Sequence, residues 1–130
     1  GLPYLASPVE TLASLEANYA RHAQAFTEAG HSGEVAVPVM RTLFVSNRPA
    51  RVRAVKEVLA GEARHRMRDA EADPEDWTIV GDHAYVKDRL AQYRESVGVT
   101  HLIARGRIGG VDDDEQLASL EALRVLAADA

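Results

Sequence analysis

The 130-residue sequence has no cysteine. Disulfides and thiolate metal sites are therefore excluded. Aromatic residues are scarce, at 5% with a single tryptophan, and do not interleave with basic residues as a nucleic-acid stacking platform would require. No apolar run approaches the roughly 20 residues of a membrane span, and no signal-peptide pattern opens the chain. Lysine is rare, and arginine outnumbers it 13 to 2. The net charge is -5, which disfavours general nucleic-acid binding. These absences lead us to expect a cytoplasmic protein that binds neither nucleic acid nor membrane.

What is present is ordinary globular composition, with 46% hydrophobic and 27% charged residues. The length suits one domain spanning residues 1–130. Leu2 to Ala6 is a short apolar run that predicts a buried strand. Ser7-Pro8-Val9-Glu10 follows and reads as a capping box with proline at the first helical position. Leu12, Leu15, Tyr19, Ala23 and Phe26 then recur at helical spacing, and Gly30 marks a stop.

The second unit predicts a strand over 35–45 and a helix over about 49–68, broken at Asp73-Pro74. In the third, Trp77 to Val80 is a short apolar lead. Gly81-Asp82 caps a helix over about 83–97, and Gly98 ends it. A strand over 99–104, a loop over 105–110 and a leucine-spaced helix behind Asp112 complete the chain. Strands alternating with long helices predict a parallel α/β sheet with right-handed crossovers.

Several of these segments, in this order, resemble the bacterial luciferase-like flavin-dependent monooxygenases. Gly1-Leu2-Pro3, Ser7, Tyr19 and Ala29-Gly30-His31 are similar to that family's sixth βα unit. Val80-Gly81-Asp82, with Val86 and Leu90, resembles the entry to its last unit. Gly98 to Arg105 resembles its eighth strand, and Asp112 to Glu115 the start of its final helix. The resemblance implies the last three units of a TIM-type (β/α)8 barrel, a fold of about 250 residues when complete. The abrupt start at Gly1 agrees with a truncated chain. The partner expected is a missing N-terminal barrel portion or a second copy, because three parallel strands leave open edges.

The activity implied is a monooxygenase, an oxidoreductase using reduced FMN or a related deazaflavin and oxygen on a small organic substrate. A fragment of this length is expected to be inactive by itself. The alternative is a non-catalytic α/β module that binds flavin or a partner and self-associates.

Barrel enzymes work at the carboxyl ends of their strands. Tyr4, Ser7, Arg41 and Arg105 are accordingly the residues expected to contact the flavin. Arg41 interrupts an apolar strand and, if buried, needs an anion or carboxylate partner, a structural ion pair being the plain expectation. Arg105 ends the last strand beside Gly106 and suits an anionic ligand group.

No acid, base or nucleophile stands out as catalytic. The five histidines show no ligand spacing, so no metal is expected. Asp112 to Glu115 suit a helix N-terminus rather than a cation site. The arginines and lysine between Arg48 and Arg68 read as a solvated helix face.

Overall fold

The computed structural model describes residues 2–66 and 73–129; side chains of 64–66 are not described. Four helices and three strands form its frame. They are α1 (Leu12–Glu28), β1 (Pro38–Val45), α2 (Pro49–Arg66), β2 (Thr78–Gly81), α3 (His83–Val97), β3 (His101–Arg105) and α4 (Asp113–Ala128). A one-turn 3₁₀ helix, Pro74–Asp76, precedes β2. The sheet is parallel throughout, with strand order β2-β1-β3. The expected α/β parallel arrangement is thus observed as three strands with flanking helices. Met67 and Arg68, expected to end the second helix, lie outside the described residues.

The neighbours of β1 pair with opposite halves of it. β3 matches Pro38 to Thr42, and β2 matches Thr42 to Val45. The two expected strands that form, β1 and β3, pair side by side. Here the first strand is central, because Thr78–Gly81 adds a strand along the second half of β1. By composition alone that segment reads as a short lead into α3. Its ladder with Thr42 to Val45 makes it a strand despite its length, and all four of its residues are buried.

The first expected strand does not form. Leu2 to Ala6 has no ladder partner among the described residues. It is fastened by side chains instead: the Tyr19 hydroxyl lies between the carbonyls of Tyr4 and Pro38 and shares its one proton between them. Nor does Ser7 cap α1. The helix begins at Leu12, where Thr11 accepts the Ser14 amide at 3.2 Å. The reason lies across the fold. Arg41 takes the carbonyls of Pro8 and Glu10, and Tyr4 takes the Glu10 carboxylate, so 7–10 forms a turn instead.

Other boundaries follow local chemistry. Asp82 and Asp112 each accept the amide three residues on, at 2.9 and 2.8 Å. Gly98 adopts φ 74°, the left-handed stop that a glycine tolerates best.

Strand alternation divides the core. Val39, Leu43 and Val45 face α1, α3 and α4, packing with Leu15, Tyr19, Val86 and Tyr93. On the opposite face Phe44 and Val80 meet Val55 and Leu59 of α2, with Trp77 and Ile108 alongside. No described helix is long and apolar enough to cross a membrane.

Candidate functional site

Arg41 points to the three-helix face and is fully buried. Its Nε donates to the Tyr93 hydroxyl at 2.7 Å. Its terminal nitrogens donate to the carbonyls of Pro8, Met40 and Glu10, at 3.4, 3.1 and 2.6 Å. The guanidinium carbon also lies 5.3 Å from the centre of the Tyr93 ring. No carboxylate pairs with Arg41 among the described residues. Carbonyl dipoles and a phenol solvate this charge, so the anion expected beside a buried arginine is replaced by neutral acceptors.

Tyr4 joins the same knot through Glu10. Its hydroxyl donates to the Glu10 carboxylate at 3.0 Å and accepts from Asn18 at 3.4 Å. Its ring sits edge-on to Tyr19, with centroids 5.2 Å apart. Burial holds both phenols above their ordinary pKa; at Tyr4 the Glu10 carboxylate reinforces that direction. Ser7 lies exposed in the adjoining turn, where its carbonyl accepts the Glu10 amide.

Arg105 is elsewhere. It registers with Thr42, so it projects from the opposite face to Arg41. Ile103 and His101 share that face with Met40, and α2 leaves them uncovered. Ile103 is 40% exposed, Met40 half-buried and Arg105 exposed. Among the described residues Arg105 has no ion-pair partner. The four expected residues therefore form two places: Tyr4, Ser7 and Arg41 on one face, and Arg105 on the other.

The loops beyond β1 and β3 are tied at the rim. Arg51 of α2 grips Glu115 of α4 through two 2.7 Å bonds and also donates to the Gly110 carbonyl at 3.0 Å. The buried Ser119 hydroxyl accepts the Val45 amide at 2.8 Å, closing the end of β1. At Gly106 a Cβ would fall 2.4 Å from the Gln116 amide nitrogen, so glycine here admits Gln116. Both polar atoms of that amide are buried without a partner among the described residues.

Sequence reasoning missed Glu10, Tyr93 and Ser119 as polar anchors. Tyr93 lies at helical spacing from Val86 and Leu90, where an aromatic reads as packing, and a serine within a leucine-spaced helix carries no signal. A second place missed is a cleft of about 550 Å³ between α2, the carboxyl ends of β1 and β2, and the 3₁₀ turn. No group of three histidine or acidic residues suited to a metal occurs among the described residues.

No protein-family model matches the sequence, and neither does any curated protein. The crystal structure of monooxygenase RslO1 from Streptomyces bottropensis matches the whole chain, with TM-score 0.74 and 13% identity. The chain spans 42% of that protein's length. This likeness is one of fold: the chain shares the α/β architecture of part of a monooxygenase.

Proposed function

We propose that the chain is the C-terminal portion of a flavin-dependent monooxygenase of the luciferase-like kind, forming one wall of its flavin pocket. The uncovered sheet face bearing Met40, Ile103 and Arg105 carries this reading. An apolar patch ending in an unpaired guanidinium at the carboxyl end of a strand fits a flat ring system with an anionic tail. The fold likeness to a monooxygenase supports it, as do the luciferase-like segments of the sequence. Bound reduced FMN, or a deazaflavin, would supply the electrons for oxidising a small organic substrate.

The chain's own residues have simpler tasks. Arg105 binds the anionic group, and Met40 with Ile103 keeps water from one side of the ring. Arg41, Tyr4 and the turn at Ser7 act one layer back, as positioning residues that seat the segment before α1. The remaining walls come from a barrel portion outside this sequence or from a second copy.

The test begins with the coding DNA upstream of Gly1. The expected finding is an in-frame extension of about 200 residues carrying further βα units. The protein so defined should quench FMN fluorescence on binding, and Arg105→Ala should weaken that binding about tenfold, as loss of one charge-assisted contact does. A start codon at this point, with no flavin binding by the chain, would overturn the reading.

The second reading, a self-associating module without turnover, draws on the open outer edge of β3. It predicts a dimer that binds flavin without consuming oxygen. Sedimentation and oxygen uptake in the presence of reduced FMN distinguish the two.

A further inference from the structure

We infer that the cleft between α2 and the β1 and β2 carboxyl ends is a separate binding site, for a small, mainly apolar molecule carrying a protonated amine. The inference does not depend on the flavin reading. The cleft lies on the same sheet face as Met40, Ile103 and Arg105, beneath α2, but shares no lining residue with them.

Its size and position favour a ligand. About 550 Å³ lies within the usual range of small-molecule sites, about 300–1,000 Å³. Ser46, Asn47 and Asp82 line it directly after the strands end, where parallel sheets present their binding crevices. Apolar side chains of Val52, Ala60 and Pro74 line it, and the buried Thr78 spends its hydroxyl on the Pro74 carbonyl. The stem of Lys56 runs along one wall, its ammonium held by Glu75 and set 5.2 Å from the centre of the Tyr85 ring. That lysine is thereby neutralised as an anion receptor.

The charge decides the class of ligand. Among the described residues of the lining, Arg53 and Lys56 stand against Glu57, Asp73, Glu75 and Asp82, two negative charges in excess. Asp73 and Asp82 also cap the 3₁₀ turn and α3, which fixes their carboxylates in place. A rim of this sign repels phosphates and carboxylates and draws in cations. A cation with an apolar body meets both the apolar side chains and the rim. Because the rim is exposed, the discrimination is salt-dependent and moderate.

Three indoles of similar shape test this: tryptamine, neutral 3-ethylindole and anionic indole-3-propionate. NMR titration of the intact chain at low salt should rank them in that order. We expect tryptamine to bind several-fold more tightly than the anion, with shifts centred on Val52, Ala60 and Thr78. Raising the salt should shrink the gap. Glu57→Lys alters an exposed rim residue and leaves the lining neutral, so it should largely abolish the preference while the apolar side chains still bind. Ala60→Trp should fill the cleft and remove binding of all three. Equal affinities, a preference for the anion, shifts elsewhere, or no binding by a folded chain would each overturn the proposal.

Discussion

The two faces of the sheet are built on different terms. On the α1, α3 and α4 side, Val39, Leu43, Val45 and Ile79 are sealed beneath three helices, and a fully buried arginine sits among them. On the other side one helix covers Phe44 and Val80 and stops short of Met40, Ile103 and Arg105. The same strand supplies both faces by simple alternation. The closed face spends its polar chemistry on holding the chain together. The open face leaves a guanidinium and apolar side chains available. A charge within a strand therefore says little by itself: Arg41 and Arg105 differ in role because their neighbours differ.

The largest test of that contrast is Arg41→Met. It strands the carbonyls of Pro8 and Glu10 and the Tyr93 hydroxyl without their donor. We expect a loss of about 3–5 kcal/mol in urea unfolding, as when one partner of a buried charged network is removed. Arg105→Met on the open face should change stability by less than about 0.5 kcal/mol. If the two variants unfold alike, the distinction between the faces fails.

Next is Ser119→Ala, which leaves the Val45 amide without its acceptor at the buried end of β1. A loss of about 1–3 kcal/mol is expected, read as a lower urea midpoint with unchanged slope. A neutral result would mean that water replaces the hydroxyl and that the closed face is less dry than described.

Alkali provides a third probe. Burial raises the folded-state pKa of Tyr4, Tyr19 and Tyr85 above their ordinary 10.0. The unfolded chain therefore loses these protons first. Their contribution is complete below pH 10 and disappears as pH rises through the raised folded values. Stability should fall steeply above pH 10, and Tyr85→Phe should blunt part of that fall. A flat profile would contradict the burial of these phenols.

The smallest effect belongs to the rim. Arg51 and Glu115 are each about a quarter exposed, at 25% and 26%. Glu115→Gln should lower the melting temperature by about 2 °C or less, and high salt should erase the difference.

Much of this frame was legible from short-range signals. Asp82, Gly98 and Asp112 mark α3 and α4 because a cap is a matter of a few adjacent residues. Alternation and helical spacing likewise give β1 and the inward faces of the helices. The failures are non-local. Ser7-Pro8-Val9-Glu10 carries a helix-start pattern, but its carbonyls are claimed by Arg41 from a strand some thirty residues on. Leu2 to Ala6 has strand composition and no ladder partner. Thr78 to Gly81 gains its strand from the free half of β1, which its own four residues cannot reveal. At the candidate site, Arg41 was conspicuous as a charge in an apolar run. Its acceptors, scattered from Pro8 to Tyr93, were not. The cleft beside α2 left no trace in the sequence, since its walls come from two separated stretches, 46–60 and 73–82, that only the fold brings together.

Thr42 is the one residue of β1 registered with both neighbouring strands, opposite Thr78 on one side and Arg105 on the other. Slipping β1 by one position would reverse both pairings together. It would turn Arg41 toward the open face and carry Phe44 into the space of Leu43.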